Sequence, residues 1–127
     1  MKHAVLLMLC FFFVASASYG QSKPWPVPDK YKNMKNPVKA DLAEGKAIWA
    51  KHCQSCHGKT GAGDGTKAAQ LDTQPEDLGA ATIQKQSDGT LYYKTSEGRD
   101  DMPAFKKKIP DEDELWQVVN YIRTFKK

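Results

Sequence analysis

The chain has 127 residues, 19 of them Lys or Arg and 15 Asp or Glu, for a formal net charge of +4. That length holds one compact domain and no more. So small a basic surplus, with no binding motif beside it, excludes nucleic acid as a partner.

Residues 1–20 read as a leader rather than as part of that domain. Lys2 and His3 precede an unbroken apolar run of 12 residues, Ala4 to Ala15, and then the small residues Ser16, Ala17 and Ser18. Basic start, apolar middle and small-residue end are the order of a secretory signal peptide, with cleavage after Ala17 or Gly20. The run is well short of the roughly 20 residues a spanning helix needs. Leu9 is not the small residue a lipoprotein site at Cys10 would want. Export removes Cys10 and Lys2, which leaves Cys53 and Cys56 as the only thiols and a charge of +3. Lysines crowd residues 23–39 and 106–108, and acids collect at 72–77, 97–101 and 111–114. Such patches either steer an acidic partner or keep a small protein soluble.

Residues 21–40 contain 4 of the 7 prolines. Proline fixes φ and donates no backbone hydrogen bond, so this segment is expected as an extended arm, neither helix nor sheet. Trp25 and Tyr31 either pin it to the domain or leave it a loose tether. Asp41 offers an N-cap to a helix through His52, with Leu42, Gly45, Ile48, Trp49 and His52 on one stripe. Gly45 costs that helix roughly 1 kcal/mol against alanine, and a glycine on an apolar face lets another backbone come close. Gly58, Gly61, Gly63 and Gly65 make a turn-rich loop. A short helix is expected near Asp64–Leu71 and a weak one near Leu78–Lys85. Ser87 caps a better one, "DGTLYYKTSE", which stops at Gly98. Residues 99–110 are a loop in which Pro103 biases Met102 towards extended geometry. The last helix is the clearest. Asp111 and Glu114 have capping-box spacing, and Leu115, Val118, Val119, Ile122 and Phe125 form its buried stripe.

The block "CQSCHGKT", residues 53–60, admits four chemistries. A phosphate-binding loop requires glycine five residues before Gly58, where Cys53 stands, and a preceding strand. Structural zinc needs four ligands, usually as two separated pairs; here the two Cys and two His all lie within residues 52–57. A redox dithiol sits at a helix start after a strand, whereas this pair follows a helix. Cys-x-x-Cys-His as a haem attachment pattern fits: thiols three residues apart on a helical turn reach the two vinyl groups of one haem, and His57 falls beneath the iron.

From Asp41 to Lys127 the chain resembles the class I c-type cytochromes, of the compact bacterial kind. "CQSCH" matches the attachment site. Gly45 and Trp49 match the glycine and aromatic of the family's first helix, and "LWQVVNYIRTF" its last, with Tyr121 the expected contact. The resemblance implies an all-α fold of three to five helices around one covalently bound haem c, with the N- and C-terminal helices crossing. It implies that "DMPAF", residues 101–105, brings Met102 as sixth ligand, and that in "PEDL" the Pro75 carbonyl accepts a hydrogen bond from His57. Cys53 and Cys56 would then carry the haem thioethers, and His57 and Met102 the iron. Met34 lies in the arm, and His52 would have to double back. Trp116 and Tyr92 or Tyr93 are expected in haem-pocket or core packing, and Arg99 as a solvated loop residue in preference to one that reaches a haem propionate.

With both axial positions filled, the expected role is an electron carrier rather than an enzyme, with no small-molecule substrate. The domains expected are a signal peptide (1–20), an arm (21–40) and a cytochrome c domain (41–127). Export places the chain in the periplasm or on the extracytoplasmic face of the membrane. Its expected partners are redox proteins: membrane respiratory complexes, or terminal reductases and oxidases. Two alternatives stay open, a haem-bearing subunit docked in a larger complex through the arm, and a haem enzyme or gas sensor with a labile sixth ligand.

Overall fold

A computed structural model describes residues 23–127; the leader expected at 1–20 and the first two arm residues lie outside the described residues. The elements run α1 (Asp29–Lys32), α2 (Leu42–His52), α3 (Gln54–His57), α4 (Ala81–Gln84), α5 (Asp88–Glu97) and α6 (Glu112–Arg123). Short 3-10 turns lie at Ala68–Gln70 and Phe105–Lys107. The fold is all-α, and the only pairing of extended backbone among the described residues is an isolated bridge between Arg99 and Met102.

α2 and α6 cross, and the reason is visible at Gly45. A Cβ there would lie 2.6 Å from the Gln117 carbonyl oxygen and 3.0 Å from the Tyr121 Cβ. Only a residue without a side chain lets the two backbones approach this closely. One turn later Trp49, 2% exposed, fills the crossing against Phe125 at 4.9 Å and Tyr121 at 6.0 Å between ring centroids. Burying a ring of that size contributes roughly 4–6 kcal/mol at about 25 cal/mol per Å². The stripe of α2 is narrower than its spacing implies, because Leu42 at its first position stays 49% exposed.

Both long helices start where their caps stand. Asp41 accepts from the Ala43 and Glu44 amides at 3.0 Å. Asp111 accepts from the Asp113 amide at 2.9 Å, a plain N-cap on the second helical residue; the capping box expected with Glu114 does not form. α5 is capped by Ser87, which accepts from the Thr90 amide at 3.1 Å, and ends at Gly98. It packs on α6 through Tyr92 and Trp116, stacked at 4.1 Å. Those rings therefore build the core, with Leu115, Val118, Val119 and Ile122 beneath them. Arg123 locks the far end, donating to Asp88 Oδ1 and to the carbonyls of Gln84 and Gln86. The segments expected as short helices shrink to single turns, at 68–70 and 81–84, because glycines and Pro75 interrupt the chain around them.

The arm departs from the extended form expected of it. Asp29–Lys32 close one helical turn, started by Pro28, whose carbonyl accepts from the Tyr31 amide at 2.9 Å. Proline at a helix start is pre-set for this, since its φ is helical and no donor is lost. Tyr31 then packs on Tyr93 at 4.8 Å and Tyr92 at 6.4 Å. Asn36 donates to the Trp116 carbonyl and to Asn120. The buried Gln117 amide gives its nitrogen to Lys39 O and takes the Asp41 amide on its oxygen. Residues 23–40 are thus held along α5 and α6 to the start of α2, and the loose-tether alternative does not apply to them.

Candidate functional site

Cys53 ends α2 and opens α3. Its carbonyl accepts from the Cys56 amide at 3.2 Å and the His57 amide at 3.0 Å, so both thiols and the imidazole hang from one turn. Both thiols are free. Burial, with Cys56 beside it, pushes the Cys53 thiol up to about 12. Dithiol exchange runs through a thiolate, and at neutral pH this thiol supplies almost none.

The His57 ring is turned inward. Burial lowers its pKa and so favours the neutral imidazole, the form that binds metals. Trp49 backs it at 5.8 Å and is itself fixed by a bond from Nε1 to the Gly58 carbonyl at 3.1 Å. The helix crossing therefore supports the imidazole through one intervening ring. His57 Nδ1 is buried without a hydrogen-bond partner. A buried polar atom left unpaired costs about 1–3 kcal/mol. His57 Nδ1 makes no hydrogen bond to the Pro75 carbonyl, whose oxygen lies close to Gly63, where a Cβ would meet it at 2.2 Å.

The glycine-rich segment after the motif folds back on α3. The Gly63, Gly65 and Lys67 amides donate to the carbonyls of His57, Cys56 and Ser55 at 2.9, 3.1 and 2.8 Å. These bonds satisfy the carbonyls that a helix end leaves open. They also consume the amides a phosphate cradle would need.

Met102 is presented by a second turn. The Arg99 amide donates to Met102 O at 2.8 Å and the Met102 amide to Arg99 O at 2.9 Å. Asp100, between them, has φ of 51°, and Gly98 before them has φ of 64° with no room for a Cβ against Met102 O. Met102 is half-buried against the core, one turn from the buried Phe105. Of the rival ligands, Met34 stays 37% exposed in the arm, and His52 packs edge-on to Phe105 at 6.2 Å.

Two features at this site have no signal in the sequence pattern. Loop residues 73 and 74 link the turns: the Thr73 amide donates to Asp101 Oδ2 at 2.9 Å, and Gln74 Nε2 donates to Gly63 O at 2.7 Å. Arg99 is not a solvated loop residue. Its Nη1 donates to Lys23 O and Pro24 O at 3.0 Å each, and its guanidinium lies 4.3 Å from the centre of the Trp25 ring.

The donor set fits a covalently held haem on this structure's own terms. Two free thiols share a turn with an imidazole that carries a buried, orphaned nitrogen. The family model described as "Cytochrome C oxidase, cbb3-type, subunit III" matches residues 40–122. Among solved structures, the chain is similar to one from the Kuenenia stuttgartiensis reducing HAO-like protein complex Kustc0457/Kustc0458. That likeness has a TM-score of 0.65 at 24% identity, over 83% of this chain and 52% of that one. It is a likeness of fold, and the chain spans about half the length of that neighbour. A second similar structure is the KustC0563 c-type cytochrome, 30% identical with a TM-score of 0.55, over 65% of this chain and 98% of that one. No curated protein matches significantly. Fold, site and comparisons agree that the chain belongs to the cytochrome c family matched by that model, whose domain holds haem c through covalent bonds.

Proposed function

We propose that this chain carries single electrons through one haem c. Cys53 and Cys56 form its thioethers, and His57 and Met102 are its axial ligands. The observation that carries this reading is the buried, partnerless His57 Nδ1 on the same turn as two free thiols. When bound, the group supplies a one-electron Fe(III)/Fe(II) couple, with a potential that Met/His ligation raises. The chain's own residues do the rest. Trp49 fixes the imidazole from behind, the folded-back glycine loop holds the α3 carbonyls, and the 73–74 link ties the His57 turn to the Met102 turn. Two protein ligands leave no open position for a substrate, and members of this family are typically carriers rather than enzymes.

Residues 1–20 have the pattern of an export signal, which supports an extracytoplasmic site of action. Among the described residues no helix is long and apolar enough to cross a membrane. The partners are redox proteins, respiratory complexes or terminal reductases and oxidases, met through small contacts, typically below about 1,200 Å². The family description names an oxidase subunit, which favours a second reading as a subunit of a larger complex. Docking through the arm is the weaker form of that reading, because Trp25, Val27 and Tyr31 are engaged by the chain's own residues.

A potentiometric titration tests the carrier reading. The haem-loaded protein should follow a one-electron Nernst curve, and its reduced form should show no rapid spectral change on mixing with carbon monoxide at neutral pH. Rapid uptake would contradict the carrier and favour a haem enzyme or gas sensor.

A further inference from the structure

The segment around Trp25 precedes the residues that the family model matches, 40–122, so the common fold does not account for it. It nevertheless ends on the turn that presents Met102. Arg99 links the two. Its backbone amide and carbonyl both pair with Met102, while its side chain donates to the carbonyls of Lys23 and Pro24. Trp25 lies against the Arg99 guanidinium at 4.3 Å, with the Lys94 ammonium 5.3 Å from the same ring centre. Val27, two residues on, is buried and anchors the segment. Asp100 completes the cluster, 3.4 Å from Arg99 Nε and 3.9 Å from Lys23 Nζ.

The turn needs such bracing. Asp100 holds a left-handed φ of 51°, a conformation that persists only when its surroundings over-determine it. A thioether sulfur is a neutral ligand without charge to hold it in place, so its residence depends on how firmly the backbone presents it. A cation over an indole ring is a contact that can shift such a balance.

We propose that residues 23–27 form a strap that keeps Met102 on the iron, with Trp25 and Arg99 as positioning residues. The proposal rests on Met102 being the sixth ligand. The strap stabilises the ligand-on arrangement of the 99–102 turn relative to a ligand-off one, so losing it raises the ligand-off population.

The test uses the full haem-loaded protein. Carbon monoxide takes the sixth position of the reduced form only when Met102 is off, so its slow uptake reads that population. Trp25→Ala should speed uptake about tenfold, a change equivalent to about 1.4 kcal/mol. It should also weaken the far-red band of methionine-ligated ferric haem. Trp25→Phe keeps a ring for the guanidinium and should return uptake to within about threefold of the unaltered protein. An unchanged uptake rate in Trp25→Ala overturns the strap, even if the thermal midpoint falls, because the arm would then serve stability alone. Met102→Ala, run beside it, separates the two readings. If that variant takes up carbon monoxide no faster than the unaltered protein, Met102 is not the ligand and the strap falls with it.

Discussion

Met102→Ala is expected to keep its covalent haem, bind carbon monoxide at neutral pH and fall in reduction potential. In the proposed reading attachment depends on Cys53, which precedes α3, and on Cys56 and His57 within it; none draws a hydrogen bond from the Met102 turn. The substitution removes one thioether and leaves the backbone bridge between Arg99 and Met102 in place. A ligand that occupies its position in all but about 1% of molecules lowers the apparent affinity of a competitor about 100-fold, so its loss restores that factor. Methionine opposite histidine raises the potential. A tenfold loss of preference for Fe(II) lowers it by about 59 mV for one electron, and the shift here should be at least that. Absorption spectroscopy with potentiometry reads both. A variant that keeps its native sixth-ligand spectrum removes Met102 from the site.

Gly45→Val should severely destabilise the crossing of α2 and α6. Valine is a better helix former than glycine by a few tenths of a kcal/mol, so propensity alone predicts a small gain. Sterics decide the sign. The new Cβ would lie 2.6 Å from the Gln117 carbonyl and 3.0 Å from the Tyr121 Cβ, and two further methyls follow it into the crossing. The obstacle is α6 backbone, which cannot move aside as a side chain tip can. Separating the helices also pulls Trp49 from Tyr121 and Phe125, and the His57 ring from its backing. The expected loss is about 3–5 kcal/mol, which for a domain of this size lowers the thermal midpoint by roughly 15–30 °C. Gly45→Ala should fall between the two proteins. Equal midpoints would mean that the close crossing of α2 and α6 is not what holds the domain.

What the residues disclosed unaided follows their chemistry. Asp41, Ser87 and Asp111 are legible as caps because the bond each makes is to its own helix, two or three residues away. The α6 stripe is legible because burial on a helix repeats at a fixed spacing. Gly45 is legible as an anomaly, a costly residue with no local purpose. The Cys-x-x-Cys-His turn is legible because its geometry needs no partner from elsewhere. Pairings across long separations were not. Arg99 reaches the arm across 75 and 76 residues, and Thr73 reaches Asp101 across 28, with nothing periodic to mark either. Four prolines argued for extended backbone in the arm, yet Pro28 is what starts α1.

The central claim is that one haem is bonded to Cys53 and Cys56. A pyridine haemochrome spectrum, read with the intact mass of the purified protein, tests it most directly. The expected result is one haem per chain, a spectrum of the type given by two saturated vinyl groups, and a mass that retains the haem after denaturation. Haem that is extracted into acidified organic solvent, or a chain whose mass carries none, would contradict it.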